Sequence, residues 1–118
     1  MVEPLQPLIK ASEMQTFEGI PGASSQFVRL DERGLAVIIG VSTYTPGVGP
    51  QEHRHPERQV FIVYEGRGVY TVDGADVIAE AEDVVVVPPN ALHCFRADGD
   101  VPLRHVTVFE TPPELKPT

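Results

Sequence analysis

A chain of 118 residues with a formal net charge of -8 is the size of one domain, long enough for a core and too short for two. The acidic balance excludes a nucleic-acid or anionic-membrane partner, since both need a basic face. The longest apolar run, 84–89, is far too short to cross a bilayer, and a single cysteine, Cys94, leaves no intrachain disulfide.

In chain order, 1–24 reads as an N-terminal arm in which Pro4, Pro7 and Pro21 break regular elements. Leu8 and Ile9 suit a short strand, and 11–17 a turn or one helical turn. The first ten residues show no charged segment followed by an apolar one, so no secretion leader is expected. With the lone Cys94, this points to a reducing cytoplasm. From 25 to 111 the pattern changes to strands: 26–30, 35–45, 59–65, 69–72, 75–79, 83–87, 92–96 and 102–110. Asp31 to Gly34 is a turn, 46–50 a Gly/Pro loop, and Gly66 to Gly68 another turn. Asp73-Gly74 is the strongest hairpin signal in the chain. The run 83–87 is nearly all apolar, which predicts burial on both faces. The tail 112–118 is proline-rich and is expected to be extended or disordered. Eight or nine short strands without a 3.6-residue period predict an all-β sandwich or barrel.

The chemistry-bearing residues cluster around one loop. His53 and His55 are one residue apart, so on an extended chain they point to the same side. The strand that follows brings Gln59 back beside them, and 88–93 delivers a third imidazole, His93. Three neutral nitrogens and an amide oxygen form a ligand set for a divalent transition metal, with zinc, iron, nickel, manganese and copper all admissible. Glu57 is the alternative oxygen donor. The competing view is that His53 and His55 sit idle in an exposed loop. Against it, burying three unpartnered imidazoles and an amide would cost several kcal/mol, at roughly 1–3 each.

The spacing Gly47, five residues, His53-x-His55, three residues, Gln59, six residues, Gly66 resembles the first signature of the cupin superfamily, with Gln in the slot for that family's Glu. A second signature is matched more loosely. Asp83, Pro88 and His93 fit, whereas Glu82, Asn90 and Ala97 stand where the family has Gly, Gly and Asn. The resemblance implies a single-domain jelly-roll β-barrel over 25–111.

Strand parity extends the site. If Gln59 faces inward, so do Phe61 and Val63; if His93 does, so do Ala91 and Phe95. In the last strand, His105, Thr107 and Phe109 are favoured as the inward set over Arg104, Val106 and Val108. His105 and Tyr44 are then the candidate catalytic groups, Tyr44 as a proton donor. Cys94 is opposite in parity to His93 and reads as packing. An amide at position 59 leaves a divalent site near +2, a stronger Lewis acid that attracts anionic ligands and lacks a first-shell base.

These features suggest a metal-dependent enzyme acting on a carbonyl, enolisable or ring compound, resembling isomerase- or cyclase-like cupins. A dioxygenase of quercetinase type and a non-catalytic small-ligand binder or sensor are the alternatives. A small-molecule substrate and a homodimer are expected, the dimer covering the second face of 83–87, with 1–12 crossing to the neighbour.

Overall fold

A computed structural model describes residues 7–111. Nine strands carry the fold: β1 Gln15–Phe17, β2 Ala23–Arg29, β3 Val37–Tyr44, β4 Gln59–Glu65, β5 Arg67–Val72, β6 Ala75–Glu80, β7 Val84–Val87, β8 His93–Ala97 and β9 Leu103–Glu110. They form a six-stranded sheet in the order β1-β2-β3-β9-β4-β7 and a three-stranded sheet in the order β6-β5-β8, and every named pairing is antiparallel. The architecture is an all-β jelly-roll barrel. Short strands rich in Val, Ile, Phe and Tyr, broken by Gly, Pro and Asp, have no stable alternative to packing one pleated face on another.

The predicted strands recur with ends shifted by up to three residues: β2 starts at Ala23, and β5 starts at Arg67, inside the predicted turn from Gly66 to Gly68. Asp73 (φ 48) and Gly74 (φ 81) both adopt the left-handed backbone of a tight hairpin turn between β5 and β6. The N-terminal segment differs from expectation. No strand forms at Leu8 and Ile9; a 3₁₀ turn spans Ala11–Glu13, and β1 follows along the outer edge of β2. The rest of the arm, 1–6, and the tail, 112–118, lie outside the described residues.

The second correction concerns the apolar run. Val85 and Val87 are buried, but Val84 is 55% and Val86 63% exposed. β7 is an edge strand of the larger sheet, so only one of its faces meets the core. The core itself is aromatic, with Tyr44, Phe61, Tyr70 and Phe95 packed together beside Val63, Val87 and Leu103.

Candidate metal centre

Two elements bring the histidines together. The loop from Tyr44 to Gln59 runs beside β8: Gly47 N donates to Ala97 O (2.9 Å), and Ala97 N to Val48 O (3.0 Å). His53 and His93 exchange both main-chain hydrogen bonds, at 2.9 and 2.8 Å. The approach is close enough that a Cβ on Gly49 would fall 1.7 Å from Phe95 O, so only glycine fits there. On the other side, Asn90 N donates to His55 O at 2.8 Å. The ligating atoms of His53, His55 and His93 thereby come within 4.8 Å of one another, with His53 exposed, His55 half-buried and His93 buried.

The hydrogen bonds around the cluster set the tautomers. His53 Nδ1 lies 2.7 Å from Gln51 O, His55 Nδ1 2.8 Å from Glu57 O, and His93 Nδ1 2.8 Å from Ala91 O. A main-chain carbonyl can only accept, so each Nδ1 carries the hydrogen and each Nε2 a lone pair. Gln59 Nε2 donates to Thr107 Oγ1 at 2.8 Å, which turns Oε1 toward the imidazoles, 3.1 Å from His55 Nε2 and 3.2 Å from His93 Nε2. In the neutral rings lone pairs therefore face lone pairs across the cluster, a contact that a cation between them turns favourable. The donor set fits a divalent transition metal, held by Nε2 atoms whose Nδ1–H groups are anchored to carbonyls. Burial, the largest effect, lowers the His93 pKa, and the neighbouring imidazoles of His53 and His55 add to the shift. Both keep the ring in its neutral, ligating form.

Glu57 sits on the loop rim and contributes its main-chain oxygen to His55, while its carboxylate is not in the cluster. Cys94 lies on the opposite face of β8 from His93, partly buried.

A cavity of about 360 Å³ runs inward from the cluster, lined by Phe17, Ile20, Phe27, Phe61, Phe95 and Phe109, among others. One inward step beyond Gln59 and His93 come Phe61 and Phe95, with ring centroids 5.2 Å apart and each about 5 Å from the His105 ring (4.9 and 4.8 Å). His105 and Tyr44 both line the cavity, with Ser25 and Ser42 beside them. They lie with the aromatic layer and not with the three histidines. Burial raises the Tyr44 phenol pKa, the hydroxyls of Ser25 and Ser42 acting against the rise. Burial pushes His105 down to about 4. The favoured inward set of β9 matches: His105 and Thr107 are buried and Phe109 lines the cavity, whereas Arg104 is exposed.

Sequence reasoning missed Tyr70, whose hydroxyl meets His105, and the N-terminal residues Phe17 and Ile20 on the cavity wall. For Tyr70 the only local signal was its alternation within 69–72.

The family model described as a cupin domain matches residues 40–109. An acireductone dioxygenase of Sulfurihydrogenibium sp. (strain YO3AOP1) is 35% identical over 85 residues, covering 64% of this chain and 48% of that protein. An acireductone dioxygenase of Bacillus cereus is 28% identical over 85 residues, covering 63% and 50%. The chain thus spans about half the length of the curated relatives it matches. Among solved structures, a cupin-2 domain protein of Rhodospirillum rubrum superposes with a TM-score of 0.76 at 20% identity, over 99% of this chain and 84% of that one. An RmlC-like cupin of Shewanella frigidimarina gives 0.75 at 18%, over 93% and 95%. These likenesses show the fold. No helix among the described residues is long and apolar enough to cross a membrane.

Proposed function

The chain belongs to the cupin domain family, and on that premise we propose that it is a metal-dependent dioxygenase of small molecules that bind the ion through two adjacent oxygens. The observation that carries the reading is the convergence of three Nε2 lone pairs and one amide oxygen at the mouth of an aromatic-lined cavity. The acireductone dioxygenases to which the chain is similar supply the reaction type.

In this reading His53, His55 and His93 hold the ion and Gln59 Oε1 is the fourth donor, with Glu57 as structural support through its carbonyl. A bound divalent ion supplies Lewis acidity toward the substrate oxygens and, when redox-active, a path for electrons to dioxygen. Phe61 and Phe95 keep water from the inner face of the substrate. Burial keeps the Tyr44 phenol protonated, the state a proton donor needs, and His105 neutral. A homodimer and a cytoplasmic setting, in which Cys94 stays reduced, belong to the same proposal.

One observation favours a second reading. Gln59 cannot take a proton from substrate, and among the described residues no carboxylate joins the cluster. A redox-silent isomerase or cyclase, in which the ion only polarises a carbonyl, needs no such base in the first shell. Elemental analysis of untagged protein, followed by oxygen uptake on a catechol or enediol, separates the two. Uptake with iron, nickel or copper bound supports the dioxygenase. Bound zinc with isomerisation and no uptake supports the second reading. Ligand binding without any turnover sinks both and leaves a sensor.

A further inference from the structure

The inner end of the cavity carries polar groups that metal binding does not use. Tyr70 and His105 are each 1% exposed, and the Tyr70 hydroxyl lies 2.7 Å from His105 Nδ1. That nitrogen is the hydroxyl's one hydrogen-bond partner among the described residues. A phenol buried against Phe61 and Phe95 has to donate to the single acceptor in reach. Nδ1 therefore accepts, and the neutral ring carries its hydrogen on Nε2. His105 lines the cavity with Nδ1 turned back to Tyr70, which leaves the Nε2–H edge toward the open space. Among the described residues no acceptor pairs with it. Close by, the buried hydroxyls of Ser25 and Ser42 are 2.8 Å apart and also bear on the Tyr44 phenol. No Lys or Arg is among the described residues lining the cavity.

We infer that this inner end is a second ligand subsite, for an uncharged hydrogen-bond acceptor such as a ketone or ether oxygen, with His105 Nε2–H as the donor and Tyr70 as the positioning residue that fixes its tautomer. The inference deepens the reading above and rests on it for the placement of the ligand's other end on the metal. His105 lies two residues beyond Thr107 on β9, about 7 Å further in at strand spacing. The ligand is thus flat, largely apolar and about one ring long, with its oxygens at opposite ends. A carboxylate at the inner end would have no cation opposite it, so any negative charge belongs at the metal.

Calorimetry on zinc-loaded protein tests this with two probes, 3,4-dihydroxyacetophenone and 4-ethylcatechol, which differ in the acceptor at the far end. Wild type is expected to favour the ketone more strongly than Tyr70→Phe does, by about five- to tenfold, with ethylcatechol affinity unchanged. The difference in acidity between the catechols is common to both proteins and cancels. Equal preference in the two proteins overturns the proposal. If neither catechol binds, the metal-end reading is what fails. Nitrogen-15 NMR of metal-free wild type then decides for the donor without any variant: hydrogen on Nε2 of His105 upholds it, and hydrogen on Nδ1 overturns it.

Discussion

Thr107 makes Gln59 an oxygen donor. By accepting from Nε2 at 2.8 Å it holds the carboxamide with Oε1 on the imidazoles; without that bond the amide would turn its NH₂ toward their lone pairs. The near-isosteric Thr107→Val should therefore weaken zinc binding about tenfold with the fold intact, as read by competition with a chromophoric chelator, and Thr107→Ser should restore it. His105 makes a different kind of prediction. Its pKa of about 4 lies below the ordinary histidine value of 6.5, so between those limits the unfolded chain binds a proton that the folded one refuses. Above pH 6.5 neither state is protonated and nothing is lost. Below it, stability falls with falling pH, by up to about 1.4 kcal/mol per unit. His93, shifted the same way, adds to the slope. Urea midpoints in EDTA should drop from pH 6.5 to 5; a flat profile would contradict neutral burial.

Strand alternation was legible because most inward residues are apolar or aromatic, and the hairpin turn was legible because Asp-Gly has few conformations open to it. The apolar run 83–87 misled because sequence shows that a strand avoids polar residues but not whether it lies at a sheet's edge. Two of the three mismatches in the second signature have a backbone meaning. Glu82 and Asn90 stand where the resembling family has glycine, and both keep positive φ, 80 and 63. Asparagine tolerates that region, whereas glutamate pays for it in strain. Glu82 is exposed and its side chain can be removed without leaving a hole. Glu82→Gly should raise stability by about 1 kcal/mol, visible as a higher thermal midpoint. A lower midpoint would mean the carboxylate has a role its exposure does not suggest.

Across the whole molecule, the metal cluster could be read from spacing because His53, His55 and Gln59 lie within one loop and strand. The inner subsite could not. Tyr70 meets His105 across the barrel, 35 residues apart in sequence, and no local pattern says which strand faces which. The surface tells a similar story. Val77, Ile78, Val84 and Val86 are all exposed on β6 and β7, the outer strands of the two sheets. If this strip joins two copies, as proposed, light scattering at micromolar concentration gives a dimer and Val86→Lys a monomer of unchanged fold. A wild-type monomer would sink the assembly.

The loop that supplies two of the three imidazoles touches β8 through a short ladder that includes one isolated bridge, His53 to His93. An ion bound there would cross-link that loop to β8 at the point where the two main chains already pair. Metal loading and the anchoring of that loop are therefore coupled, since removing the ion leaves main-chain hydrogen bonds alone to hold it.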